Sequence, residues 1–236
     1  MVKPATKERT TSSVRFSNAI LNLRPFKFIC FSTLTMPKIM SIFLYPSFIF
    51  WDMNKIISIV GMTGSGKTEV SEFLKKHGLA YVRFGDVTME ELKRRWLDVN
   101  EKNERMVREG LRKEHGMDAF ARLNAGKLEK ALEKGSVIAD GLYSWEEWLF
   151  LREKFGEKMI VLAIASSPAT RYQRLAERKI RPLAHEEAAS RDKAEIENSH
   201  KAGPIAMADF TIINEGSLAE LQKNTNAFWK KISGQT

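Results

Sequence analysis

The chain has 236 residues, 43% apolar and 28% charged, which suits one domain or two small ones and excludes a disordered composition. Its net charge is +9, but residues 1–52 hold seven Lys/Arg against Glu8 and Asp52, a net of +5, and residues 53–236 keep the other +4. That mild excess suits anionic small molecules and does not call for nucleic acid. The single cysteine, Cys30, excludes a disulfide framework, and from residue 53 onward it excludes thiolate zinc and a cysteine nucleophile. His77, His115, His185 and His200 lie apart, without metal-ligand spacing.

Residues 1–52 begin basic and almost acid-free, then turn strongly apolar in "ICFSTLTMPKIMSIFLYPSFIFW". Pro37, Lys38 and Pro46 interrupt that run, so it falls short of the roughly 20 continuous apolar residues of a membrane helix. The segment reads as an extension outside the domain: disordered, a targeting element, or residues upstream of a true start at Met53. Membrane contact is expected only through residues 26–51. The remainder, 53–236, reads as one cytoplasmic domain.

"KIISIV" (Lys55 to Val60) is a short β-branched run typical of a buried parallel strand. It leads into "GMTGSGKT", Gly61, Met62, Thr63, Gly64, Ser65, Gly66, Lys67 and Thr68, which matches G-x-x-x-x-G-K-[ST]. Glycines let such a loop wrap its N–H groups around a phosphate. Lys67 adds a mobile positive charge at the β- and γ-phosphates, and the Thr68 hydroxyl suits Mg²⁺. The following helix puts Val70, Phe73 and Leu74 on one face and ends at Gly78. Strand, loop and helix together point to ATP with Mg²⁺.

"LAYVRFGDV" (Leu79 to Val87) reads as a second strand ending at Asp86, a residue suited to orient an acceptor hydroxyl or to cap the next helix. A charged helical region follows, with Leu92, Trp96 and Val99 at helical spacing. "SVIADG" (Ser136 to Gly141) is a strand closing on Asp140, a Walker-B carboxylate able to hold Mg²⁺ opposite Thr68, or a helix cap. "KMIVLAIA" (Lys158 to Ala165) is a fourth strand. A basic helical stretch over 168–201 carries Arg171, Arg174 and Arg178 on one face, then Arg181 and Arg191. These guanidiniums are either a solvated face or, for Arg178, Arg181 and Arg191, a lid that closes over the γ-phosphate. "ADFTIINEG" (Ala208 to Gly216) is a fifth strand, and a helix from Ser217 to Lys231 closes the domain. Alternating strands and helices predict an α/β sandwich with a mainly parallel sheet, and ligands beyond the strands' carboxyl ends.

With "GMTGSGKTE", "FGDV", "LRKEHGMDAFARL", "VIADGLYSWEE", "ASSPATRYQRLAERK", "SRD" and "ADFTIINEGSLAEL" in order, residues 54–222 resemble the P-loop nucleotide kinases. The likeness is to the group related to dephospho-CoA kinase and adenylate kinase. It implies a five-stranded parallel sheet in the order 2-3-1-4-5, and a helical lid over about 178–200. By the same resemblance Asn214 and Gly216 form the N-x-G turn beside the adenine. From the residues themselves, Arg174 is expected in the nucleotide site, and Lys67, Asp86, Arg178 and Arg181 are expected to do the catalytic work. The acceptor, dephospho-CoA or a nucleoside monophosphate, would lie between Asp86 and residues 88–120. Tyr143 stands where that group tends to carry an arginine, and adenylate kinase's "DGFPR" is absent. The competing reading is an ATPase that works as a nucleotide-dependent switch.

Overall fold

A computed structural model describes residues 54–179 and 182–234. The extension 1–52 and Arg181 lie outside the described residues. Five strands are described: β1 (Ile56–Val60), β2 (Ala80–Arg83), β3 (Val137–Asp140), β4 (Met159–Ala165) and β5 (Phe210–Ile213). They form an all-parallel sheet in the order β2-β3-β1-β4-β5. This is the predicted α/β sandwich, with β1 and the loop after it in the middle.

Every residue of β1 is buried, and alternation along the strand sends its side chains to two different layers. Ile56 and Val60 join Phe84, Leu92, Val107 and Leu128 on one face. That face is covered by α2 (Asp86–Arg94), α3 (Glu101–His115), α4 (Ala119–Leu132) and α5 (Trp145–Phe155). Ile57 and Ile59 join Val70, Leu74, Leu221 and Phe228 on the other, beneath α1 (Lys67–Lys75) and α9 (Leu218–Ser233). α6 (Pro168–Ala176), α7 (His185–Glu197) and the short α8 (Ala202–Ala206) come between β4 and β5 in the chain.

Side chains set several helix starts. Ser144 and Glu147 form a reciprocal capping box at α5, so Asp140 is not that helix's cap. Ser167 caps α6, with Pro168 at its first position.

Three expectations change. β2 stops at Arg83; the Phe84 N–H bonds the Asp140 carbonyl (2.8 Å), Phe84 turns into the core, and Asp86 opens α2. The 168–201 stretch is two helices, because Pro182 lacks a backbone donor and the Leu183 N–H turns back to the Leu175 carbonyl (3.1 Å). Arg178 therefore lies past the end of α6 and does not share a helical face with Arg171 and Arg174. Trp96 follows the end of α2 with φ of 55°, which turns its indole outward to 95% exposure, and Val99 is exposed too. Neither packs in the core.

No helix among the described residues is long and apolar enough to cross a membrane.

Candidate active site

β1 delivers the chain into the glycine loop at the carboxyl edge of the sheet. Gly61 has φ of +145°, and a methyl group there would collide with the Ile164 carbonyl of β4. Gly66 caps α1 in the left-handed region (φ 99°), where a methyl group would strike the Asn214 amide. Both close approaches need glycine.

The Lys67 ammonium folds back onto its own loop, donating to the carbonyls of Gly61 (2.9 Å) and Met62 (3.0 Å). Burial, then the nearby charge of Lys201, pushes its pKa down to about 7. Thr63 is held from two sides: its hydroxyl donates to Glu195 (2.6 Å), and its carbonyl accepts from Arg171 (3.1 Å). Arg171 itself is buried in a two-pronged ion pair with Asp192 of α7 (2.8 and 2.6 Å). It is a structural arginine that anchors α7 against the loop.

Asp140, at the end of β3, is opposite Ile59 in the sheet register, and its carboxylate accepts the Tyr81 hydroxyl (2.5 Å). Burial, then that bond, raises the tyrosine's pKa. Thr68 and Asp140 line one cleft of about 450 Å³ together with Gly64, Gly66 and Lys67. A hydroxyl and a carboxylate at the phosphate loop are hard oxygen donors, the type Mg²⁺ takes, so these residues fit that ion. Arg178 and Arg191 line the same cleft.

On the far side of the loop, the Arg174 guanidinium donates to the carbonyls of Asn214 (2.9 Å) and Gly216 (3.3 Å). The Asn214 amide reaches the Ser65 carbonyl (2.8 Å). Arg174, Asn214, Gly216, Gly66 and Leu218 border a small cavity of about 190 Å³, where the N-x-G turn was expected to meet a base.

A second cavity of about 500 Å³ continues past Lys67 toward α2 and α3. It shares Thr63, Lys67, Arg83, Tyr143 and Arg191 with the first cleft and adds Arg112, Glu195 and Lys201. The Arg112 guanidinium stands 5.4 Å from the Phe120 ring centre, and its buried Nε has no hydrogen-bond partner.

The structure thus brings together the loop residues, Thr68, Asp140, Arg174, Arg178, Asn214 and Gly216. Asp86 is half exposed, sits 3.7 Å from Arg83, and is not among the residues lining either cleft. Arg83, three residues earlier at the true end of β2, takes its place. Arg83 was findable as a strand-end residue; Glu195 and Lys201 carry no local signal.

A model of the AAA domain matches residues 57–197. A UPF0200 protein of Thermococcus gammatolerans is 36% identical over 181 residues, covering 75% of this chain and 95% of that one. Another from Hyperthermus butylicus is 32% identical over 182 residues, covering 76% and 96%. Among solved structures, a gluconokinase from Sinorhizobium meliloti 1021 aligns with a TM-score of 0.50 at 14% identity, over 77% of this chain and 95% of that one. This last likeness is one of fold, the P-loop kinase-like α/β fold. The relatives are UPF0200 proteins, so the resemblance to dephospho-CoA kinase holds only at that coarser level.

Proposed function

The chain belongs to the UPF0200 family, and from that premise we propose that it is an ATP-dependent kinase that moves the γ-phosphate to a small, nucleotide-like acceptor of the dephospho-CoA or nucleoside monophosphate class. One observation carries the reading: the phosphate cradle opens directly into a second cationic cavity, and Thr63, Lys67, Arg83, Tyr143 and Arg191 border both. A donor and an acceptor could then meet across Lys67.

In this reading the loop amides and Lys67 hold the β- and γ-phosphates. Lys67 leaves the Gly61 and Met62 carbonyls as the phosphates arrive, and their charge restores its proton. Thr68 and Asp140 would hold Mg²⁺, which would supply positive charge to offset the charge of the transferring phosphate. Arg178 and Arg191 meet the charge spread over the transferring group. Arg174, Asn214 and Gly216 border the base. Arg83 and Arg112, rather than Asp86, face the acceptor, and an anionic acceptor gives the buried Arg112 Nε the partner it lacks.

The test is ADP production by the full-length chain from Mg·ATP with dephospho-CoA and each common nucleoside monophosphate, against a Lys67→Ala control. The expected result is release that needs one acceptor class and vanishes in the control. Slow release at the same rate with every acceptor would refute the kinase reading and favour a nucleotide-dependent switch.

A further inference from the structure

Glu195, in the last turn of α7, turns inward to the phosphate loop, and its side chain is only 15% exposed. One carboxylate oxygen accepts from the Thr63 hydroxyl (2.6 Å) and the Arg191 guanidinium (3.3 Å). The other accepts from the Lys201 ammonium (2.7 Å). Lys201 is 2% exposed, an unusual burial for a lysine, and its ammonium faces the Tyr143 ring at 4.8 Å. A hydroxyl, a guanidinium and an ammonium converging on two oxygens are the donors a phosphoryl group takes.

We propose that Thr63, Arg191 and Lys201 form an oxyanion subsite beside Lys67, and that the Glu195 carboxylate occupies it until a substrate phosphate takes its place. The proposal rests on the reading of the cleft as a phosphate-transfer site and assigns it a residue, Lys201, outside every motif of the loop. Lys67, Glu195 and Lys201 border the same 500 Å³ cavity, so a phosphate on Lys67 comes within the field of the second lysine.

A plain strut between α7 and the loop explains the cluster less well. Arg171 and Asp192 already tie α7 to the Thr63 carbonyl. A second strut made of buried charges gains little over apolar packing, because desolvation offsets the attraction. Glu195, by contrast, suits a resident anion. Its pKa falls to about 2, with Lys201, Thr63 and Arg191 outweighing its burial, so it remains a charged competitor at any working pH. When the side chains part, the Lys201 N–H still bonds the Glu195 carbonyl (3.2 Å), which keeps the ammonium at the cavity.

The test uses the opposite signs that follow. Binding of ADP and of the non-hydrolysable AMP-PNP is measured by calorimetry on the full-length chain, followed by inorganic phosphate added to the ADP-saturated protein. Glu195→Gln keeps the side chain's size and removes the competing charge. It is expected to tighten the added oxyanion about tenfold, and Lys201→Met to weaken it by a similar factor. Lys201→Arg is expected to recover most of that loss. A gain seen for AMP-PNP over ADP identifies the γ-phosphate as the occupant; a gain seen for inorganic phosphate identifies the acceptor's phosphate. Loss of affinity in both Glu195→Gln and Lys201→Met, as a strut requires, overturns the proposal, and so does no change in either. If Glu195→Gln does not fold by circular dichroism, Glu195→Asp, which withdraws the carboxylate by one methylene, carries the same expectation. Failure of the wild-type chain to bind ADP or AMP-PNP would instead overturn the nucleotide reading beneath it.

Discussion

Replacing Asp192 with alanine should unfold the protein far more readily than its position on a helix of mostly exposed residues suggests. Asp192 accepts two hydrogen bonds from Arg171 and one from the Tyr172 hydroxyl (2.9 Å), and the two ionic side chains are 4% and 12% exposed. Without the carboxylate, Arg171 stays buried with only the carbonyls of Thr63 (3.1 Å) and Ser166 (3.2 Å) as acceptors. Removing one partner of a buried pair costs about 3–5 kcal/mol, and the two remaining carbonyls argue for the lower end. At a few degrees per kcal/mol for a domain of this size, the midpoint should fall by roughly 10 °C. Denaturant unfolding followed by circular dichroism, with thermal melts beside it, measures both quantities. The double variant Arg171→Met with Asp192→Leu is the decisive companion, since well-packed apolar side chains of similar volume can replace a buried pair at little cost. A loss below about 1 kcal/mol for Asp192→Ala, the value of an exposed pair, would refute the reasoning. A double variant as unstable as the sum of the singles would refute it too.

Glu147 is fully buried, and burial raises its carboxyl from 4.5 to about 7, against the pull of the Tyr143 and Ser144 N–H groups. The native state therefore keeps this proton to higher pH than the unfolded chain does. The contribution of Glu147 to stability should be fully present below about pH 4.5 and fall by about 3 kcal/mol as pH rises to 7, and Glu147→Gln should flatten that window; parallel profiles would reject the assignment. Lys67, with a pKa of about 7, should take up close to one proton when ATP binds at pH 8.5, read from calorimetry in buffers of different ionisation enthalpy. No buffer dependence would contradict it. Asp140→Asn should lower the Mg²⁺-dependent part of ATP affinity roughly 10–100-fold and leave metal-free ATP binding intact. An equal loss with and without Mg²⁺ would remove Asp140 from the metal's neighbourhood.

The glycine loop, the five strands and Asp140 were legible because each rests on a local pattern: a glycine spacing, a run of β-branched residues, a carboxylate ending such a run. The reading failed where the pattern outran the structure. "LAYVRFGDV" looks like one strand, yet its last ladder bond is the one from the Phe84 N–H, the Phe84 side chain fills the core, and Asp86 already belongs to α2, so the strand-end position belongs to Arg83 and not to Asp86. Arg171 looks like one of several surface arginines until Asp192, twenty-one residues on, packs against it. Glu195 and Lys201 belong to the loop only because α7 lies against Thr63, a contact across more than 130 residues that no local spacing announces. Trp96 fits a helical period that the helix does not live long enough to use.

The bond from the Asn214 amide to the Ser65 carbonyl spans 149 residues of sequence, and the Asn214 carbonyl also receives Ser166 and Arg174. The loop that defines the protein is written near the start of the domain, but its shape is finished by a residue near the close. During synthesis a nascent chain can build β1, β3 and β4 side by side and still lack the groups that fix Ser65 and complete the small cavity beside it. The loop thus reaches its final shape late in translation, once β5 has docked, and on the proposed reading a ribosome-stalled fragment ending before residue 210 would carry the full glycine motif and bind ATP more weakly than the whole chain.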